Sequence, residues 1–340
     1  MSAPVVNPSD EARRGALDFI WEQYRIWDNT SVELRRHLTF WRRLVLILGI
    51  AGALAATLST QPFVTQLGAD GRPPAGRAAW LGYIPWGLGI LSAILLGFAA
   101  FASQKVLSPN DEEQWVGARA AAEAFKREAF LLVAQAPPYD VAVSIAPAEA
   151  INNSLDRLEP LPLDRTRAGE APPAYPLTVD GYISSRLEEQ MNWYERRAGD
   201  HRNTLKRISG ATLGLGGLAV VLGVVSSDMT APWVAVITTI IATLTAYLYA
   251  WRYQYMVVSY LATARKLSAL RARWRTSGKS DADTADRNQF ILECEGILSA
   301  ENKAWMTELN RRDATGSAPV ASQPAQVTGG GKPAAGVKVT

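Results

Sequence analysis

The residues nearest to a chemical site are hydroxyls on an apolar stretch: Thr238, Thr239, Thr243 and Thr245. Thr239 and Thr243 are four apart and share one face of a helix. A row of hydroxyls there can line a hydrated path. The same hydroxyls can instead bond back to carbonyls of their own helix. A second set is basic. Arg42 and Arg43 precede one apolar stretch, and Lys206 and Arg207 precede another. Such pairs suit lipid headgroups, or they can set a field that favours anions at a pore mouth. A third set is small. Gly210 and Gly214 form a GxxxG, extended by Gly216, Gly217 and Gly223. Gly49 with Ala53, and Ala51 with Ala55, make similar pairs. Small residues let helices approach closely, within one chain or between chains.

No catalytic set stands beside these. Two histidines, His37 and His201, and one cysteine, Cys294, serve the whole chain of 340 residues. Neither histidine has a plausible local carboxylate or serine partner for catalysis. Glu295 and Glu301 do not fall cleanly on one face and read as solvated or interhelical charges. Cys294 lies on an apolar helix face and reads as packing. One cysteine excludes a disulfide scaffold and a multi-thiolate metal centre. A net charge of +3 is too small to imply nucleic acid. The expectation is a protein that is not an enzyme and has no cofactor and no metal.

The elements that carry these residues are defined by where charge is missing. Residues 44–69, 78–104, 208–227 and 229–251 contain no Asp, Glu, Lys or Arg. About 20 apolar residues suffice to cross a bilayer as a helix, so four spans are predicted, at about 44–64, 79–102, 208–226 and 232–251. The first begins too deep in the chain, behind a charged segment, to be a signal peptide. Arg35, Arg36, Arg42 and Arg43 flank the first span, Lys105 follows the second, and Arg196, Arg197, Arg202, Lys206 and Arg207 precede the third. Arg252, Arg265 and Lys266 follow the fourth, whereas the two connecting loops hold only Arg72 and Arg77. Lys and Arg collect on the cytoplasmic side, which places both termini and the central segment in the cytoplasm. Trp41, Trp80, Tyr83, Trp86, Trp233, Tyr247, Tyr249 and Trp251 fall near span ends, as amphipathic rings at an interface do.

The organisation is duplicated. Each half reads as charged amphipathic helix, span, short loop, span, charged helix. Both halves run in the same sense, so they are parallel repeats. Pro8 and Pro109 mark helix starts, each followed by an acidic turn. Leu17, Ile20, Trp21 and Tyr24 recur at helical spacing, as do Leu187, Met191 and Tyr194. A closing helix is predicted over about 283–312. Eight prolines between residues 136 and 180 mark a linker with at most a short helix near 148–158. The fold class is thus an all-α membrane protein: four transmembrane helices as two parallel-repeat hairpins with long cytoplasmic extensions. The units are 8–139 and 181–312, joined by a Pro-rich linker at 140–180 and followed by a disordered tail at 313–340.

The two-span hairpin between charged helices resembles the SLATT family of bacterial two-transmembrane effector domains. "WVGARAAAEAFKREAFLLVAQAPPY" (Trp115 to Tyr139) is similar to that family's post-span helix, with Trp115, Arg119, Glu123, Lys126 and Glu128 in pattern. "ECEGILSAENKAW" (Glu293 to Trp305) is similar to the closing helix of another branch, with Glu295, Leu298, Glu301 and Trp305 in pattern. The lead-in "RLEEQMNWYERRA" (Arg186 to Ala198) fits as well. The resemblance covers about residues 15–139 and 182–310 and implies a tandem protein. It further implies a pore-forming effector of the bacterial inner membrane, used in anti-phage conflict and triggered by a nucleotide signal or a sensing partner. On this reading the partners are the lipid bilayer, further copies of the chain as a homo-oligomer, and that trigger, with Thr238, Thr239 and Thr243 as pore-lining candidates. The rival reading is a non-conducting anchor whose cytoplasmic helices recruit a partner. The absence of ionisable residues within the spans argues against a proton-coupled transporter.

Overall fold

The computed structural model describes residues 8–65, 83–106, 109–141, 143–155, 170–225 and 229–316. Regular structure among them is helical throughout. Helix α1 spans Pro8–Thr60 without interruption. Its start has Pro8 in the first turn with Asp10 and Glu11, acids that suit the positive end of a helix. At 1.5 Å per residue it is about 80 Å long, far more than a bilayer needs. Only the part after Arg43 is apolar enough to cross. The earlier part carries a stripe of Leu17, Ile20, Trp21, Tyr24 and Trp27 at helical spacing, all buried. The helix stops at Gln61, before Pro62, because the residue preceding a proline is pushed out of helical geometry. A single turn, α2 (Pro62–Thr65), follows.

Helix α3 (Ile84–Val106) returns through the membrane, and α4 (Pro109–Val133) leads away from it. The linker contains one short helix, α5 (Ala146–Ser154). The second half starts with α6 (Val179–Tyr182), capped by Thr178, whose hydroxyl accepts a hydrogen bond from the Gly181 amide. It runs straight into a π-helical segment, Ile183–Glu188, and then into α7 (Glu189–Val224). Helix α8 (Ala231–Trp251) returns and ends at Arg252, which adopts a left-handed backbone with φ of 49°. This break redirects the chain as it leaves the apolar layer into α9 (Tyr253–Thr276). After a turn through Gly278, also at positive φ, α10 spans Thr284–Gly316. Asp283 caps α10 by accepting from the amides of Ala285 and Asp286.

Four helices are long and apolar enough to cross a membrane. The predicted outer ends at 79–82 and 226 lie outside the described residues, as do Arg72, Arg77, Trp80 and the tail from 317. Helix α10 continues to Gly316, past the predicted boundary at 312.

The core sits outside the apolar layer, and both halves build it. It joins Ile20 and Trp21 of α1, Phe125, Leu131 and Leu132 of α4, and Leu187 and Met191 from the start of the second half. Leu267 of α9 and Ile291 of α10 complete it. A chain of rings links the halves: Trp21 to Phe130 at 6.4 Å, Phe130 to Tyr182 at 6.0 Å, and Tyr182 to Phe290 at 6.3 Å. These edge-on pairs add to the energy of burial. The Leu177 amide also donates to the Val133 carbonyl at 2.9 Å. The repeats therefore stand on one shared bundle.

Candidate functional site

The first hairpin is closed on itself. A Cβ on Gly52 would meet Cδ2 and Cγ of Leu96 at 2.7 Å. Glycine is required there because the α3 side chain lies against the α1 backbone. One turn of α3 away, the Ser92 hydroxyl donates to the Gly52 carbonyl at 2.9 Å. Ala55, Ser92, Ala99 and Ala102 are buried along this hairpin.

The second hairpin is built differently. Gly210, Gly214 and Gly217 are exposed, and a Cβ on any of them would meet nothing within 4 Å. The same holds for Gly216 and Gly223. Among the described residues the glycine pattern does not pack α7 against α8, which leaves contact between chains as the other use of such a pattern. None of the most apolar window of the α7 helix is buried inside the chain. Leu213, Val220 and Val224 beside the glycines stand 80%, 67% and 81% exposed.

On α8 the three candidate hydroxyls all turn back on their own helix. Thr238 donates to the Val234 carbonyl at 2.8 Å, Thr239 to Ala235 at 2.9 Å, and Thr243 to Thr239 at 2.8 Å. Thr238 and Thr239 are exposed and Thr243 half-buried. Within one chain they form a polar stripe on a surface, not a lined channel.

The basic residues divide. Arg43, Lys206 and Arg207 are exposed near the ends of the spans. Arg42 is not available as a mouth residue: it donates to Glu112 of α4 at 2.7 Å, and its guanidinium lies 4.7 Å from the Trp251 ring. It ties α1 to α4 and α8 where the spans enter the bundle. Trp251 thus packs against the other half of the chain. Tyr83, Trp86 and Tyr249 are widely exposed, at 67%, 71% and 80%, as interfacial rings would be.

The most committed polar contact lies deep in the bundle. Arg186, in the π-helical segment, makes two hydrogen bonds to Glu295 of α10, both at 3.0 Å. The Tyr182 hydroxyl donates to the same carboxylate at 2.8 Å, and the Arg186 guanidinium lies 5.0 Å from the Phe130 ring. Both charged side chains are 1% exposed. Burial alone would drive the Arg186 charge off, but the Glu295 carboxylate overrides it and holds the guanidinium charged. The π-helix widens the turn at the position where Arg186 enters the core. Of the two readings its local sequence allows, solvated or interhelical, Glu295 is interhelical, and its partner is Arg186. A signal was present: Arg186 lies on the stripe of Tyr182, Leu187 and Met191, and a charge on an apolar face needs a partner. Cys294 is fully buried beside this pair, and burial, then Glu295, pushes its thiol up to about 12.

A second buried acid, Glu128, accepts from the Tyr139 hydroxyl at 3.0 Å and pairs with Arg127 at 3.2 Å. Burial raises its carboxyl above the ordinary value, against the Tyr139 bond and Arg127, which lower it.

Residues 182–305 match the family model described as SMODS and SLOG-associating 2TM effector domain 1, SLATT_1. Residues 25–144 match the model of a protein family of unknown function, DUF4231. No curated protein and no solved structure matches the chain. The second half of the chain is thus similar to a SLATT two-transmembrane effector domain and the first half to the DUF4231 family, and each half contributes one hairpin and a share of one bundle.

Proposed function

We propose that this protein is a SLATT-type effector that assembles with copies of itself into an ion-conducting pore. The observation that carries the reading is the open face of α7. Gly210, Gly214 and Gly217 form a groove in which a second helix could lie close, and nothing among the described residues occupies it. Four spans enclose too little space for a wide passage, so chains must share one. Copies meeting along α7 would turn the neighbouring α8, with Thr238, Thr239 and Thr243, toward a common axis. The membrane is the bacterial inner membrane, with both termini cytoplasmic, in line with Arg43, Lys206 and Arg207 on the bundle side. In this reading the protein acts in anti-phage conflict, and a nucleotide signal or sensing partner acts on the bundle. Reconstitution of the full chain in liposomes tests it: ion flux accompanied by a defined oligomer supports the pore. A monomer that gives no flux under any condition overturns it.

A second reading, a non-conducting anchor that presents the bundle to a partner, draws on the core itself. The chain buries its large side chains outside the membrane, around Arg186 and Glu295. In that case the oligomer would form without flux.

A further inference from the structure

The segment that leads into the second half, residues 170–178, crosses the first half as an extended strap. It lies outside both matched stretches, 25–144 and 182–305. The groups of the first half that hold it come from α1 and from the end of α4. The Trp21 indole donates to the Glu170 carbonyl at 2.7 Å, and the Lys126 ammonium lies 3.6 Å from the Glu170 carboxylate. The Tyr175 hydroxyl donates to Asp10 at 3.1 Å and accepts from the Gln135 amide, also at 3.1 Å. The Leu177 amide donates to the Val133 carbonyl. Side chains alternate along the strap: Pro173, Tyr175 and Leu177 are half-buried, whereas Ala174, Pro176 and Thr178 are exposed. An extended chain turns alternate residues to one side. Pro172, Pro173 and Pro176 preset such a backbone at little cost in entropy.

Two features of the first half fit a receptor for such a chain. The first is Lys126, which is buried in α4. Its ammonium lies 3.4 Å from the Tyr24 hydroxyl, and Asp28 acts on it from farther away. Among the described residues, Glu170 supplies the carboxylate within ion-pair distance. A buried ammonium needs a counter-ion, and the strap brings one. The second is Gln135, which ends α4 in a left-handed backbone with φ of 53°. Glycine takes that conformation without strain, and a side chain there costs energy. The glutamine keeps an amide that reaches Tyr175, and the terminated helix leaves its Val133 carbonyl to the Leu177 amide. A strained residue whose side chain serves a contact marks that contact as the purpose of the strain.

We propose that the groove between α1 and the end of α4 is a recognition site for an extended, proline-bearing peptide with an acid five residues before a tyrosine, and that residues 170–178 are its built-in ligand. Docked, the strap ties the start of α1 to the entry of the second half. A partner segment of the same pattern opens this latch by competition. The built-in ligand is tethered, at an effective concentration of about millimolar, so only a tighter segment displaces it.

The test uses the full chain in a non-ionic detergent and follows hydrogen exchange at the Leu177 amide against that at Leu267 in the core. A latch opens by itself, so Leu177 should exchange faster than Leu267 in the parent. Gln135→Gly should leave the melting temperature little changed or higher, because it removes the left-handed strain. It should nevertheless speed Leu177 exchange on the order of fivefold, the effect of one lost hydrogen bond. Tyr175→Phe, which keeps the ring, should speed Leu177 exchange as well and leave Leu267 unchanged. A rise in stability in Gln135→Gly without faster Leu177 exchange would mean a merely structural residue and would overturn the proposal. One common rate for Leu177 and Leu267 in the parent would do the same. A second arm titrates a fluorescent synthetic peptide, "EAPPAYPLT" (Glu170 to Thr178), onto the double variant Glu170→Ala with Tyr175→Phe and reads anisotropy. Binding should saturate, and it should be about tenfold tighter than to the parent, whose own strap competes. A scrambled peptide that binds equally well, or no binding by either peptide, would overturn the site. No readout here depends on ion flux, so the latch and the pore stand or fall separately.

Discussion

The two hairpins look alike in composition and differ in what their small residues do. In the first, Gly52 is filled by Leu96 and its carbonyl is held by Ser92. In the second, Gly210, Gly214 and Gly217 face open space and the hydroxyls of α8 are bonded within their own helix. A membrane offers no hydrophobic drive for helix pairing, so close packing and hydrogen bonds decide which helices associate. The first hairpin has used these means internally. The second has kept them on its surface, which makes α7 the face available to another chain.

The comparison can be broken most severely at the base both hairpins share. Glu295→Gln leaves the Arg186 charge buried without its counter-ion, and losing one partner of a buried pair costs about 3–5 kcal/mol. Thermal melting in detergent should show one large loss of stability, and both hairpins should lose protection together in hydrogen exchange. Retention of native stability would mean that the pair contributes little to the bundle.

Next in size is the contact inside the first hairpin. Gly52→Val should cost about 1–3 kcal/mol by forcing α1 and α3 apart. Adding Leu96→Ala should recover much of this loss, measured as a double-mutant cycle. The matching change in the second hairpin, Gly214→Leu, should leave the chain as stable as before or better by up to about 1 kcal/mol, since leucine favours a helix. It should nevertheless reduce the oligomer seen by light scattering, because the groove is filled.

The smallest effect concerns Glu128. Its folded pKa is raised, so the native state holds the proton more tightly than the unfolded chain. The sign follows: stability is greatest below the ordinary value of 4.5 and falls as pH rises above it toward the folded pKa. Glu128→Gln should flatten that slope in melting curves taken between pH 4 and pH 7, with both hairpins affected alike.

Much of the membrane part was legible in the sequence because charge is excluded from hydrocarbon, and four charge-free stretches have the length of spans. The proline-marked starts at Pro8 and Pro109 were legible for the same kind of local reason. What could not be read were choices between distant partners. A GxxxG on α7 states that a close approach is possible, not with which helix, and here it is not α8. Arg42 stands among the basic residues before a span, yet a glutamate seventy residues away claims it. Arg186 and Glu295 are separated by more than a hundred residues, and neither reveals its partner locally. The sharing of one core by both repeats is likewise a property of contacts between them, such as Phe130 with Tyr182.

The most direct test of the open face is crosslinking in membranes. A cysteine at Gly214 is compared with one at Ile94, which is also exposed, but on the first hairpin. The buried Cys294 adds little background. Under mild oxidation Gly214→Cys should give intermolecular dimers rapidly and Ile94→Cys should give few. If Gly214→Cys remains monomeric, or crosslinks no faster than Ile94→Cys, then α7 is not where copies meet.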